Sequence, residues 1–146
     1  MKKLYSESTY KYCNSENGFL TIRIKELYKP SSIRKRGLIP ECTKSEIRKY
    51  FHEYAEKYGK ICFYCKKPWT YITNKHFYKK IKDNRSDRGK SRIKKIKNFS
   101  IDRLDNSKTY SIDNIIFCCV SCNLSKKDIS ISLIKRLYEI IMERNL

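Results

Sequence analysis

Two Cys-x-x-Cys pairs, Cys62/Cys65 and Cys119/Cys122, constrain the fold of this 146-residue chain more than any other feature. Each pair brings two thiols onto one tight turn, and four thiolates form a complete tetrahedral ligand set for structural zinc. The 53 residues from 66 to 118 separate the pairs, which is more than a simple zinc ribbon contains. We therefore expect a structural Zn²⁺ site with a functional insertion between its two knuckles.

The other three of the seven cysteines are not expected to bind this metal. Cys118 offers a rival register, but its spacing to Cys122 is wrong for a knuckle, so we expect a core thiol. Cys13 and Cys42 have no His or Cys partner that would complete a second site. An odd number of cysteines also fits poorly with a closed disulfide framework. The thiols therefore indicate a compartment where cysteines stay reduced.

The charge of the chain favours a polyanionic partner. Its formal net charge is +19, whereas solubility alone needs a net charge of about 2–8 on a small domain. Residues 75–97 contain eleven Lys or Arg and two Asp without hydrophobic periodicity, which is typical of a solvated loop or of one ordered by DNA. The predicted nucleic-acid contacts are Arg34, Lys35, Arg36, Arg85, Arg88, Arg92, Lys94, Lys95 and Lys126. For Lys126 a solvated helix face is the alternative.

The N-terminal part of the chain is expected to be a basic arm, residues 1–42, with one short helix. Residues 1–18 are polar and are expected to form a flexible or irregular lead-in. The apolar residues of 19–28 have the spacing of a short helix, which Pro30 ends or kinks. Residues 31–41 read as a basic loop because prolines and Gly37 interrupt them. Thr43 and Glu46 then form a capping-box pattern that opens a helix to about Tyr58.

The C-terminal half predicts two strands followed by helices. Residues 99–103 alternate like a strand, residues 115–118 read as the return strand, and a short helix is expected from Cys119. Ser130 or Ser132 can cap a final helix. Its predicted buried face consists of Leu133, Ile134, Leu137, Tyr138 and Ile141. No apolar segment suits a signal peptide or a membrane span, so we expect a cytoplasmic α+β protein without a membrane partner.

The motifs of this half occur in a characteristic order. After the first Cys pair come hydrophobic-Asp-Arg-x-Asp-Asn at 101–106, Tyr-Ser-x-Asp-Asn at 110–114 and Cys-x-x-Cys-Asn-x-x-Lys at 119–126. This order resembles HNH endonucleases of the ββα-metal type, in particular a branch common in phages, organelles and mobile elements. Gly18-Phe19-Leu20 and Lys35-Arg36-Gly37 match segments of that branch, so the resemblance extends from about residue 18 to 128.

The resemblance implies a small zinc-stabilised ββα-metal core with flanking helices, spanning residues 43–146. It also implies that Asp102 and Asn123 hold a catalytic Mg²⁺ or Mn²⁺ and that Asn114 braces the intervening loop. Carboxylate and amide oxygens are suitable ligands for such cations. The implied partner is double-stranded DNA, in a bacterial, phage-infected or viral host cell. A monomer is expected to nick, and a homodimer to cut both strands, in an activity of homing or restriction type.

One position departs from the family pattern. Arg103 stands where most HNH enzymes carry the histidine that serves as general base, and an arginine side chain does not deprotonate near neutral pH. We expect Arg103 to clamp the scissile phosphate instead. By analogy Tyr64 assists as base, with His52, His76 or a bound water as open alternatives. The alternative functions are a non-catalytic zinc-dependent nucleic-acid-binding protein and RNA binding through the basic loop.

Overall fold

The computed structural model describes residues 6–72, 97–127 and 129–145. Within these ranges the chain is mixed α+β, as the sequence predicts, with a single two-stranded antiparallel sheet. None of the helices described there has the length and apolar character that crossing a membrane requires. The elements in chain order are α1 (Glu7–Cys13), α2 (Glu16–Leu27), α3 (Pro30–Arg36), α4 (Lys44–Tyr58), β1 (Phe99–Arg103), β2 (Ile115–Cys119), α5 (Val120–Lys126) and α6 (Ile131–Glu143).

Helix α4 begins and ends where the sequence predicts. The Thr43 side chain accepts a hydrogen bond from the Glu46 backbone, and the Glu46 side chain accepts one from the Thr43 backbone, so the capping box is complete. Gly59 follows the last turn with φ of 82°, a backbone conformation that glycine adopts without strain. Ile47, Phe51 and Tyr54 form the buried face of this helix.

The prediction of a flexible lead-in was wrong for the described part of that segment, which forms helix α1. Its Ser-rich sequence supplies helix caps: the Ser6 side chain accepts from the Thr9 backbone, and the Ser15 side chain caps α2. The two helices cross closely at Gly18. A Cβ atom there would lie 1.9 Å from the Tyr12 carbonyl oxygen, so only glycine fits.

Residues 30–36 form helix α3, so the predicted basic loop was also wrong. Pro30 occupies the start of the helix, and Gly37 follows its end with φ of 70°. Proline at the first position and glycine just past the last are end signals of a helix, not breaks within one. The described part of residues 1–42 thus contains three helices instead of one, whereas the domain division at residue 42 stays a prediction.

The core lies between the sheet and helices α2 and α4. Strands β1 and β2 pair with Phe99 opposite Cys119 and Asp102 opposite Ile116. The Phe51 ring lies 5.3 Å from the Phe99 ring and 5.4 Å from the Phe117 ring, in edge-to-face geometry that aromatic pairs favour. Phe99, Ile101 and Phe117 therefore face this core, and the alternate residues Ser100 and Asp102 project from the other face of the sheet, where α5 packs.

The predicted buried face of the last helix was wrong. Helix α6 begins after its predicted cap, Ser130, whose side chain accepts from the Leu133 backbone. However, Leu137 is 47 % exposed and Tyr138 is 63 % exposed, and no residue of α6 is buried. The amphipathic pattern predicted the helix correctly, but within the described ranges no element covers its apolar side.

Candidate metal centre and adjoining cleft

The structure brings the four predicted cysteine ligands together. The Sγ atoms of Cys62, Cys65, Cys119 and Cys122 all lie within 4.8 Å of one another, and those of Cys65 and Cys119 are 4.0 Å apart. A tetrahedral zinc with bonds of about 2.3 Å needs sulfur atoms about 3.8 Å apart. All four thiols are free. The cluster therefore has the donor set and the spacing to hold a metal ion such as zinc.

Local backbone geometry shapes both halves of the cluster. In the first knuckle the Cys62 amide donates to the Lys67 carbonyl and the Lys66 amide donates to the Cys62 carbonyl, both at 2.9 Å. Lys66 has φ of 58°, which closes the turn. In the second knuckle, Cys119 is the last residue of β2 and occupies the N-cap position of α5. Cys122 therefore lies in the first turn of that helix.

The thiols of the cluster differ in how readily they ionise without a metal. Burial opposes ionisation of Cys62, but backbone hydrogen bonds, first among them that from Cys65, outweigh it and lower the pKa of Cys62 to about 7. Burial raises the pKa of Cys119 and Cys122, and their neighbouring thiols add to this for Cys122. A bound divalent ion stabilises thiolates and reverses such shifts.

The other three thiols lie outside the cluster, as predicted. Cys118 is a fully buried residue of β2, and burial raises its pKa. The Cys42 thiol donates to the Tyr110 carbonyl at 3.3 Å, and Cys13 is partly buried on α1.

Asp102 lies on the α5 side of β1 and is only 6 % exposed. Its Oδ2 atom accepts a hydrogen bond of 2.9 Å from the Tyr64 hydroxyl and lies 3.4 Å from the Lys126 ammonium. Tyr64 stands between the two zinc-ligand positions of the first knuckle. Burial and the Asp102 carboxylate raise the pKa of Tyr64 well above its usual range, so this hydroxyl is a donor to Asp102.

Asn123 reaches the same cleft as Asp102 from helix α5. Its amide nitrogen donates to the Ser100 hydroxyl at 2.8 Å, which leaves the amide oxygen as the atom suited to a hard cation. The cleft has a volume of about 320 Å³. Its lining residues are Asp102, Arg103, Asn106, Tyr110, Asn123, Leu124 and Lys127.

Asn114 braces the loop between the strands, in the manner that the resemblance implies. Its Oδ1 accepts from the Asp105 amide at 2.8 Å, and its Nδ2 donates to the carbonyls of Asp105 and Thr109 at 3.0 and 2.8 Å. Asn114 is buried, and these bonds give partners to its amide oxygen and to its amide nitrogen, as buried polar groups require.

Lys126 differs from its predicted solvated or phosphate-contacting position, because it is 7 % exposed. Its ammonium donates to the Arg103 carbonyl at 2.7 Å and to the Asn106 side chain at 3.0 Å, besides lying beside Asp102. The spacing of the Asn-x-x-Lys motif brought attention to this residue, but spacing gives no sign of burial. Lys126 thus contacts three residues that line the cleft, Asp102, Arg103 and Asn106.

Sequence reasoning missed the role of Tyr110 as a wall of the cleft. Its ring lies 5.3 Å from the Arg103 guanidinium carbon and 5.0 Å from that of Arg36. The only sequence signal was its position in the Tyr-Ser-x-Asp-Asn motif. The Arg103 guanidinium also donates to the Lys108 carbonyl at 2.9 Å.

The remaining predicted residues divide into two groups. Arg34 and Lys35 are exposed on α3, whereas His52 is exposed on α4 and is not among the residues that line the cleft. The other predicted residues lie outside the described ranges, and they are His76, Arg85, Arg88, Arg92, Lys94 and Lys95.

Comparisons of the chain with protein-family models, with curated proteins and with solved structures found no match. The case for a function therefore rests on the residues and on their geometry.

Proposed function

We propose that this protein is a metal-dependent HNH endonuclease that hydrolyses phosphodiester bonds of double-stranded DNA. The observation that carries the proposal is the shared cleft of Asp102 and Asn123, on the same two strands and helix as a four-cysteine cluster suited to zinc. The sequence resemblance names these two residues as the ligands of the catalytic cation, Mg²⁺ or Mn²⁺. Carboxylate and amide oxygens facing one cleft fit that assignment.

The secondary structure around the cleft supports the same proposal. Two antiparallel strands are followed directly by a short helix that packs on them, with one zinc-ligand pair at the junction of strand and helix. This is the arrangement that the ββα-metal resemblance implies. In our proposal the cysteine cluster holds the strand, the helix and the first knuckle in a fixed relation.

The residues of the cleft have separate roles in the proposed reaction. Water adds to phosphorus and loses a proton to solvent, while the bond to the 3′-oxygen breaks and this oxygen takes up a proton from solvent, which leaves 5′-phosphate and 3′-hydroxyl ends. A divalent cation, when bound, stabilises negative charge on the phosphate and on the departing oxygen. Arg103 clamps the phosphate through its guanidinium. Tyr64 and Lys126 hold the Asp102 carboxylate in place through its Oδ2 atom.

Binding to DNA is proposed to depend on the large positive charge of the chain. Arg34 and Lys35 present exposed cations on α3, and each phosphate contact steepens the dependence of affinity on salt. One active site cuts one strand, so we propose nicking by a monomer. A homodimer on a palindromic site would break both strands.

The direct test is cleavage of supercoiled plasmid by zinc-loaded protein with Mg²⁺ or Mn²⁺. We expect nicked circles from the unmutated protein and a rate at least about 10²-fold lower from Asp102→Asn, since a group that stabilises the transition state is lost. Asp113→Asn is the matched control. Asp113 is an exposed residue of the loop between β1 and β2 and does not line the cleft.

Two results would contradict the endonuclease proposal. The first is an unmutated protein that binds duplex DNA and zinc but leaves the plasmid intact with either cation. The second is cleavage by Asp102→Asn at the rate of the Asp113→Asn control, which would indicate a contaminating nuclease.

A second candidate function is zinc-dependent binding of nucleic acid without catalysis. One observation favours it: Asp102 already has a buried cationic partner, the ammonium of Lys126 at 3.4 Å. Arg103 also stands where most HNH enzymes carry the general-base histidine. The cleft would then lack both a divalent metal ion and a general base. Equal affinity of the unmutated protein and Asp102→Asn for duplex DNA, with no nicking by either, would favour this candidate.

A further inference from the structure

Two arginines from distant parts of the chain contact the ring of Tyr110. Arg36 comes from the end of α3 and Arg103 from the end of β1, and their guanidinium carbons lie 5.0 and 5.3 Å from the ring centre. Both distances are within the range of about 6 Å over which cations are attracted to an aromatic face. Tyr110 is 8 % exposed and lines the cleft with Arg103.

Arg36 is only partly exposed. Its guanidinium donates to the Leu27 carbonyl at 2.5 Å, at the end of α2, where a cation is favoured by the helix dipole. Its Nε atom is buried and makes no hydrogen bond to any residue that the structure describes. This differs from exposed Arg34 and Lys35 on the same helix. We infer a packing role for Arg36, and its predicted contact with DNA stays a prediction.

The backbone around Tyr110 is fixed to the same N-terminal region. The Tyr110 carbonyl accepts from the Glu41 amide at 3.0 Å and from the Cys42 thiol at 3.3 Å. The Thr109 hydroxyl donates to the Ile39 carbonyl. The ring of Tyr110 is thus held from both its backbone and its face by residues 36–42.

The guanidinium of Arg103 contacts this arrangement at the ring of Tyr110. Besides the ring of Tyr110, its guanidinium has a contact with the Lys108 carbonyl at 2.9 Å. We propose that Arg36 and Tyr110 form a stacked support that positions the Arg103 guanidinium at the cleft. Arg36 is then a positioning residue, and its use in phosphate binding rests on the proposed function.

The chemistry of the stack gives a specific mutational pattern. A guanidinium is planar and lies flat on a ring, whereas an ammonium is a compact, strongly hydrated charge. Arg36→Lys therefore keeps the charge but loses the stack. Tyr110→Phe keeps the ring, and Tyr110→Leu loses it. A residue that merely contacted DNA through its charge would tolerate Arg36→Lys.

The experiment measures the order of the Arg103 side chain and the rate of nicking in the same variants. The ¹H–¹⁵N heteronuclear NOE of the Arg103 Nε–H group reports whether this side chain is fixed in zinc-loaded protein without DNA. Single-turnover nicking with saturating protein separates the chemical step from DNA affinity. Arg23→Lys is the matched control, because Arg23 is a half-buried arginine on the Phe19 ring that does not line the cleft.

We expect a high NOE for Arg103 in the unmutated protein, in Tyr110→Phe and in Arg23→Lys. We expect a lower NOE in Arg36→Lys and Tyr110→Leu, with single-turnover rates about threefold to thirtyfold lower, as loss of one cation–π contact allows. Zinc content and the thermal midpoint identify a variant that fails to fold. Arg36→Lys and Tyr110→Phe are mild enough to decide the matter without Tyr110→Leu.

An unchanged NOE in Arg36→Lys would overturn the proposal that Arg36 positions Arg103, whether or not the protein cuts DNA. An equal loss in Arg23→Lys would also overturn it, because the effect would then be general loosening. If the unmutated protein fails to nick plasmid, the proposed function fails, while the NOE pattern still decides whether Arg36 and Tyr110 position Arg103.

Discussion

The four-cysteine cluster and the cleft lie toward opposite ends of the same two strands, and they depend on different kinds of contact. Cys119 ends β2 opposite Phe99, whereas Asp102 and Arg103 lie at the far end of β1. The cluster needs four thiolates and a metal ion. The cleft needs side chains from β1, the loop and α5, with Tyr64 of the first knuckle bonded to Asp102. Loss of the cluster should therefore affect folding, and loss of cleft residues should affect chemistry.

Tyr64 joins the two regions. It lies between Cys62 and Cys65 in sequence and donates to Asp102 in the cleft.

The largest effect is expected from disrupting the cluster. Cys119→Ser, or removal of zinc by a strong chelator, should unfold much of the chain, because the binding free energy of a structural zinc is folding free energy. Circular dichroism and zinc content would measure this. Cys13→Ser is the control. A Cys119→Ser protein that keeps its thermal midpoint would contradict a structural role for the cluster.

Lys126→Met should cost about 3–5 kcal/mol of stability in the absence of divalent cations, since it leaves Asp102 as a buried charge without its ammonium. Mn²⁺ should restore part of this loss if it binds at Asp102, and chemical denaturation with and without Mn²⁺ measures both effects. No recovery with Mn²⁺ would indicate that the cation does not bind there.

Asn114→Ala should destabilise the loop between the strands. The change leaves the buried Thr109 carbonyl and the partly buried carbonyl and amide of Asp105 without this partner, at about 1–3 kcal/mol for each group that water cannot reach. Hydrogen exchange should increase at residues 104–114 while zinc content stays at one ion per chain. Equal exchange in both proteins would contradict the bracing role.

Tyr64→Phe removes one hydrogen bond to a carboxylate, worth about 1.5–3 kcal/mol. We expect nicking to slow by about tenfold or more while zinc remains bound, because Asp102 loses one of its two Oδ2 partners. Tyr58→Phe, an exposed tyrosine on α4, is the control. Near-normal nicking by Tyr64→Phe would remove this residue from the mechanism.

The smallest effect is expected on α4, away from both regions. Thr43→Ala should cost about 1 kcal/mol through loss of the N-cap without changing nicking at a temperature where the protein is folded. Hydrogen bonds from the Thr43 backbone and side chain lower the pKa of Glu46. The ionised form therefore favours folding, so this contribution is present above the usual glutamate pKa and is lost at lower pH. A Thr43→Ala penalty that grows at low pH would contradict this sign.

The sequence predicted the features that local chemistry determines. The cysteine cluster follows from two tight turns, and α4 follows from Thr43, Glu46 and Gly59, so spacing alone was sufficient. The N-terminal helices were missed because Ser, Pro and Gly at helix ends resemble the composition of a loop. Ser6 and Ser15 are caps, and Pro30 and Gly37 mark the two ends of α3.

The cleft could be predicted only in part, because its residues interact across long stretches of chain. Asp102, Asn114 and Asn123 were found through motif order. The burial of Lys126 and the stacking of Arg36 on Tyr110 depend on tertiary packing, which no local pattern reports. The exposed side of α6 was missed for the same reason. The periodicity of this helix predicts an apolar face, but it does not predict which element covers that face.

The central claim is that Asp102 and Asn123 hold one divalent cation in the cleft. Electron paramagnetic resonance of Mn²⁺ added to zinc-loaded protein tests it most directly. We predict one bound Mn²⁺ per chain, much weaker binding in Asp102→Asn and in Asn123→Ala, and unchanged zinc content in both variants. Absence of bound Mn²⁺ in the unmutated protein, or equal binding by the Asp102→Asn protein, would contradict the account.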